Sequence, residues 1–281
     1  MNYDHAFHAG NHADVLKHLV LVTLLNALRR KPAPWFVLDT HAGQGLYALD
    51  DAAATRSGEA EAGIGRLRQW AADRDELAPA LRSYLQALEA HLKANHYPGS
   101  PQLVVDALRA DDQLSCCELK PAVAAVLKAR YRRDARVAVH QRDGYEAPKA
   151  LLPPTPRRGL VLIDPPYEAQ LAEFDRALPA LETGLARWPQ GCFALWYPIK
   201  RRRDLQPFLR RAAALPAASA LIAELRVRTE DSPLRLNGSG MLLLNPPWQV
   251  DLALAAALPQ LADALAGGEG DWRLEWLNRA T

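Results

Sequence analysis

Apolar residues recur at Val15, Leu16, Leu19, Val20, Val22 and Leu24. That spacing lays one stripe along a 3.6-residue period and predicts a helix from Asp14 to Arg30, closed by the cations and proline of "RRKP". A different rhythm follows. "WFVLD" is a short unbroken apolar run ending at Asp39, the pattern of a strand covered on both faces. Three more runs end on acidic residues: "LSCCE" at Glu118, "ARVAVHQRD" at Asp143 and "GLVLID" at Asp164. Between them lie helix-like stretches at Pro101 to Arg109, Pro121 to Arg133 and Gly144 to Leu151. Alternating strand and helix implies right-handed crossovers and a parallel sheet. "CFALWYP", "ELRVR" and "GMLLLN" bring the expected strands to seven. The short link "TEDSPLRLNGSG" is a hairpin signal, so the last of these runs antiparallel to its neighbour.

One stretch breaks the alternation. In a dinucleotide-type fold the acidic ribose-binding residue follows the glycine turn by ~20 residues. Here Glu118 lies much further beyond Gly45. The excess is rich in alanine and leucine at helical spacing, as in "LRSYLQALEAHLKA". Residues 46–98 are therefore expected as an inserted helical subdomain within a single domain spanning 1–281. Ser100 and Pro101 then restart the core, Ser100 as N-cap and Pro101 at the first helical position.

Composition narrows the classes. A chain of 281 residues, 49% hydrophobic and 23% charged, can build one large core with an insertion. The net charge of +2 means that any nucleic-acid surface is a local patch. Cys116, Cys117 and Cys192 lack metal-ligand spacing and read as buried thiols in a reducing compartment. The start is polar and His-rich, and the longest apolar run, "LVLVTLLNAL", falls far short of the ~20 residues of a membrane span. A cytoplasmic, monomeric protein with no membrane contact is expected.

Candidate chemistry gathers at the strand ends. "LDTHAGQGLY" puts Gly43 and Gly45 after a strand, where glycines let backbone approach a ligand, or simply make a tight turn. Glu118 suits a ribose diol, and Asp143-Gly144 is a third acidic end; each alone is also an ordinary solvated turn. Ligands in open α/β sheets bind outside the carboxyl ends of the strands, so three such ends in succession favour a cofactor. The sharpest signal is "LIDPPY". Its two prolines remove donors and leave a stiff edge of acceptors, the Asp164 carboxylate and the Pro165 carbonyl, with Tyr167 as a flat neighbour. That set suits a flipped-out base bearing an exocyclic amine. "LLLNPPW" repeats the grammar, but the hairpin places Asn245 at the opposite edge of the sheet.

Glycine turn, acidic strand ends and D-P-P-Y resemble the S-adenosyl-L-methionine-dependent amino methyltransferases. With "YDHAFHAGNHADVLKH", "HYPGSP", "RRGLVLIDPPYE", "ALWYP" and "GSGMLLLNPPW", the chain resembles the ribosomal RNA large subunit methyltransferase J family over nearly its whole length. The resemblance implies a Rossmann-like methyltransferase fold and transfer of methyl from S-adenosyl-L-methionine to the N6 amine of one adenine of 23S rRNA, at position 2030. It implies that His18, His41, Gly43, Ser100, Glu118, Asp143, Gly144 and Asp164 line the cofactor pocket. It implies further that Tyr3, His5 and Lys17 face the target nucleotide, and that Asp164, Pro165 and Tyr167 form the catalytic set. The partner is 23S rRNA, free or in an early assembly intermediate. A DNA adenine or protein glutamine methyltransferase, or a noncatalytic RNA-binding module, stays open beside this reading.

His5, His8, His12 and His18 crowd the first segment, yet they show no zinc signature such as H-E-x-x-H, so no metal is expected and the segment reads as a lid and first helix over the cofactor. Basic clusters stand at Arg29–Lys31, Lys128–Arg133, Arg157–Arg158 and Lys200–Arg203. The last follows "WYP" at a strand end and is the favoured phosphate contact.

Overall fold

The computed structural model describes residues 8–50, 58–167, 170–228, 236–268 and 270–279. Tyr3 and His5 lie outside these residues, as does the 229–235 part of the expected hairpin link.

Helix α1 (His12–Arg29) is capped by Asn11, whose side chain accepts from the Ala13 and Asp14 amides. It is buried on nearly every side, which fits a helix apolar almost all round. The strands are β1 (Phe36–Asp39), β2 (Leu46–Ala48), β3 (His96–Pro98), β4 (Gln113–Glu118), β5 (Val137–Gln141), β6 (Gly159–Ile163), β7 (Cys192–Ile199), β8 (Ser219–Arg226), β9 (Gly238–Leu244) and β10 (Asp271–Arg279). The main sheet runs β10-β8-β9-β7-β6-β1-β4-β5. From β7 to β5 all neighbours are parallel, and β9 lies antiparallel between β7 and β8. All seven expected strands are present. The expected count is corrected by an eighth, β10, which pairs antiparallel with β8 at the edge. Its residues are only partly covered, so it lacks the continuous apolar run that marks the inner strands.

Side chains alternate between two apolar layers, as the two-residue period of a strand requires. Val37, Leu160 and Leu162 point into the layer that holds α1, while Leu38, Val161 and Ile163 point into the other. The second layer is closed by α7 (Gln170–Arg187) and α8 (Gln206–Ala213), whose Phe174 and Phe208 rings stack at 4.1 Å. The remaining crossover helices are α4 (Ser100–Ala107), α5 (Pro121–Tyr131) and α6 (Ala147–Leu151); α9 (Val250–Ala266) links β9 to β10.

Residues 46–98 start and end with the antiparallel pair β2–β3 and carry a π-helical turn (Glu61–Gly65), α2 (Arg66–Ala72) and α3 (Pro79–Lys93). Ile64, Leu67, Leu81, Tyr84 and Leu88 belong to the same apolar layer as α1 and α9. The N-cap of α4 is Gly99; the expected cap, Ser100, is instead the first helical residue, and its hydroxyl has a different partner. Among the described residues no helix is long and apolar enough to cross a membrane.

Candidate active site at the carboxyl edge of the sheet

A cavity of about 420 Å³ opens where β1, β4, β5 and β6 end, at the switch point of the sheet, where β4 and β5 are laid down on one side of β1 and β6 and β7 on the other. His18, His41, Gly43, Ser100, Glu118, Asp143, Gly144 and Asp164 all line it, and so does Lys17. Of the expected catalytic set, Pro165 is buried and Tyr167 points elsewhere. The Tyr167 hydroxyl donates to the Trp196 carbonyl at 2.9 Å, and its ring packs edge-on with Phe174 and Trp196. Pro166 lines the cavity in their place.

The centre of the site is a buried chain of charges. Lys17 Nζ lies 2.7 Å from Asp14 Oδ1 and donates to Asp164 Oδ2 at 2.5 Å. The Asp14 Oδ2 atom accepts the Gly10 amide. Asp164 Oδ1 has no hydrogen bond within the described residues. One carboxylate oxygen is thus anchored, and the other is left for a ligand. Prolines at 165 and 166 follow it, so the turn offers no backbone donor there.

Beneath this chain Asp39 is fully buried, with Ser100 Oγ donating to its Oδ2 at 2.6 Å. Burial, and to a lesser degree the nearby Asp164 charge, push its pKa up to about 7 against the opposing Ser100 hydrogen bond. His41 is held neutral: burial lowers its pKa to about 4, and its Nδ1 lies 2.7 Å from Thr40 Oγ1.

The rim is shaped by glycines. Gly43 has φ +62°, and a Cβ there would sit 2.3 Å from the Tyr47 hydroxyl. A Cβ on Gly144 would meet the Thr40 carbonyl at 2.1 Å and the His41 ring at 2.7 Å. Glu118 braces the turn, taking the Gly43 amide on Oε2 (3.1 Å) and the Lys120 amide on Oε1 (2.8 Å). Leu119, beside it, is 61% exposed at the cavity wall. On the far side Arg176 pairs with Asp143 at 2.6 Å and lies over the Tyr145 ring, while the Tyr145 hydroxyl donates to Glu173. Sequence reasoning missed Asp14, Tyr145, Glu173 and Arg176. The one available signal was the i, i+3 spacing of Glu173 and Arg176 on α7, just after D-P-P-Y.

These residues fit S-adenosylmethionine. The volume is that of a small-molecule pocket. The strand-end carboxylates of Glu118 and Asp143 line the cavity, each oxygen holding one protein donor and keeping a second lone pair for a ribose hydroxyl or an exocyclic amine. Exposed Leu119 and nearby Val123 offer apolar surface to a purine face.

Among the described residues no group of three or more His, Cys, Asp or Glu side chains is placed to hold a metal. His8 and Asn11 instead converge on Glu59 Oε2, each at 2.9 Å. The Lys200–Arg203 cluster spends most of its charge inside the chain: Arg201 and Arg203 pair with Asp204, and Arg202 with Glu224 and Asp271.

The family model described as "Ribosomal RNA large subunit methyltransferase D, RlmJ" matches residues 32–278. The "Ribosomal RNA large subunit methyltransferase J" of Haemophilus influenzae is 37% identical over 282 residues, covering 99% of each chain. The protein of the same name from Escherichia coli K12 is 36% identical, again over 99% of each. A crystal structure of a Legionella pneumophila protein superposes with a TM-score of 0.85 at 31% identity, covering 95% of this chain and 98% of that one.

Proposed function

The chain belongs to the RlmJ family of ribosomal RNA large subunit methyltransferases, and from that premise we propose that it methylates the N6 amine of an adenine in 23S rRNA. The adenine is the one at position 2030 to which the family resemblance points. S-adenosylmethionine supplies the electrophilic methyl group. Glu118 holds its ribose, Asp143 and the bare backbone of Gly144 hold its base, and the glycine turn from Gly43 lies alongside.

The observation that carries the reading is the state of Asp164. An adenine amine is a poor nucleophile, because its lone pair is delocalised into the ring. Acceptors aimed at its N–H groups favour the pyramidal amine of the transition state. Asp164 lines the cavity at the start of a turn stripped of donors, its Oδ1 takes no hydrogen bond among the described residues, and Lys17 fixes the carboxylate through Oδ2. Asp164 takes the first N–H, and a carbonyl of the proline turn takes the second; of the two prolines it is Pro166 that lines the cavity. The amine becomes acidic as the methyl arrives, so a weak base suffices to accept its proton late in the step. Lys17 acts at this site by orienting Asp164. Unpaired RNA, free or in an early assembly intermediate, is the form whose base can enter the cavity.

The test is methyl incorporation from labelled S-adenosylmethionine into unmodified 23S rRNA, with the modified nucleotide mapped. One N6-methylated adenine is expected. Incorporation into DNA or protein with none into rRNA would overturn the reading.

A further inference from the structure

A second cavity, about 330 Å³, opens at the opposite edge of the sheet, where β6 begins. Four segments far apart in sequence meet there: the end of α1 with Arg30 and Lys31, the approach to β6 with Arg157 and Arg158, the start of β7 with Gln190 and Cys192, and the N-P-P-W turn after β9. The turn is tightly built. Asn245, at φ +51°, donates through Nδ2 to the Pro189 and Gly191 carbonyls and accepts the Ala218 amide on Oδ1. Arg30 Nη1 donates to the Trp248 carbonyl at 3.3 Å and to Gln249 Oε1 at 3.4 Å. On this rigid base Trp248 stands 80% exposed, more than any other large apolar residue described.

The charge here differs from that of the Lys200–Arg203 cluster. None of Arg30, Lys31, Arg157 and Arg158 pairs with a carboxylate among the described residues, and no acidic side chain lines the cavity. Arg158 is anchored by backbone carbonyls of Leu28 and Ala33, and burial together with the Arg109 charge holds its pKa below the ordinary guanidinium value. Four cations thus converge on a cavity whose lining holds no carboxylate. Clustered cations recognise phosphates, and an exposed indole on a rigid turn is a stacking platform for an unpaired base. An apolar peptide would use the ring but leave the four cations without counterparts.

We propose that this tryptophan-tipped basic cavity is a second RNA-binding site, which holds a single-stranded nucleotide with its base on Trp248 and its neighbouring phosphates on Arg30, Lys31 and Arg157. The proposal rests on RNA being the substrate. It makes the sheet a spacer: the two sites lie at opposite ends of β6, ~17 Å apart for five residues at strand rise. An RNA engaged at both edges is selected by the relative position of two unpaired nucleotides, a feature of folded RNA that one cavity alone cannot read.

The variants are Trp248→Ala, Trp248→Phe and the double Lys31→Ala/Arg157→Ala. Each is titrated against a fluorescent single-stranded oligoribonucleotide of mixed sequence, and each is assayed for methyl transfer to unmodified 23S rRNA. Trp248→Ala should weaken oligonucleotide binding about tenfold and raise KM for rRNA, because the lost stack is worth roughly that factor. The kcat, the S-adenosylmethionine affinity and the melting temperature should stay as in the wild type, and Trp248→Phe should restore most of the affinity. The double variant should flatten the slope of log Kd against log salt by about 1.4, two single-strand phosphate contacts. Wild-type RNA affinity and KM in Trp248→Ala would overturn the proposal and leave the patch to a protein partner. An unchanged salt slope, or an equal loss in the Phe and Ala variants, would also overturn it. A wild-type protein that binds the oligonucleotide through Trp248 but methylates no rRNA would sink the proposed function and leave this site standing.

Discussion

Asp39 is an acid buried under the active site, and its titration should be visible in the stability of the whole chain. It is fully inaccessible, and its pKa stands at about 7 in the fold against 3.8 in the unfolded chain. With the folded value raised, its favourable contribution is complete below about pH 4. It is lost as pH climbs to about 7 and changes little beyond. A gap of about three units at 1.36 kcal/mol each gives a full penalty of about 4 kcal/mol at neutral pH and above. About 1.5 kcal/mol of that is already felt at pH 5. Asp39→Asn keeps an oxygen to accept from Ser100 Oγ and removes the titration. Its new N–H group has no obvious acceptor, a cost of about 1–3 kcal/mol that does not vary with pH. The readout is therefore the difference between variant and wild type as pH changes. Urea unfolding at pH 5 and pH 8 should show Asp39→Asn gaining about 2–3 kcal/mol on the wild type over that interval. Parallel stability profiles would mean that Asp39 holds one protonation state throughout, and that burial does not raise its pKa into the neutral range.

Three other outcomes are expected. Glu118→Ala should weaken S-adenosylmethionine binding by about 10- to 100-fold in titration calorimetry, since hydrogen bonds to a charged group are worth about 1.5–3 kcal/mol; unchanged affinity would remove Glu118 from the site. Lys17→Met leaves Asp14 and Asp164 without their shared cation in a buried place and should cost about 3–5 kcal/mol in chemical unfolding, whereas a loss below 1 kcal/mol would show that water solvates this charge chain. Asp164→Asn should slow single-turnover methyl transfer by ~10²–10³ with little change in melting temperature, while Asn245→Ala should lower the melting temperature and leave the rate measurable; the reverse pattern would exchange the roles of the two proline turns.

The strands that carry the site were legible because burial on both faces forces continuous apolar runs, and acidic residues mark where those runs meet solvent. β1, β4, β5 and β6 end at or within two residues of Asp39, Glu118, Asp143 and Asp164. β10 was not legible: it covers the sheet edge with an alternation of Trp, Arg, Leu and Glu, which reads equally well as an exposed segment. Ser100 misled for a related reason. Serine before a helical proline is a sound capping signal, but the buried Asp39 carboxylate beside it is the stronger acceptor, and the hydroxyl turns inward. Tyr167 followed the same logic, since its hydroxyl found the Trp196 carbonyl and the ring was drawn into the aromatic layer. In each case a long-range partner outweighed a local preference, and nothing in the local sequence encodes that partner.

The two proline turns show how far local grammar reaches. D-P-P-Y and N-P-P-W both follow apolar strands, and both remove donors from the chain at its exit. What separates them is strand direction. β6 runs parallel to β1 and delivers Asp164 to the edge where the acidic ends gather. β9 runs against β7 and delivers Asn245 to the edge where the parallel strands begin. At the first edge Lys17 holds one oxygen of Asp164 and the other takes no hydrogen bond among the described residues, so the side chain is available for chemistry. At the second, Asn245 spends both ends of its amide on neighbouring backbone, and what the turn presents to solvent is Trp248. The same stiff, donor-free backbone thus serves an acceptor in one place and an aromatic platform in the other. The chemistry of each turn is set by the partner its first side chain meets, and topology determines that partner.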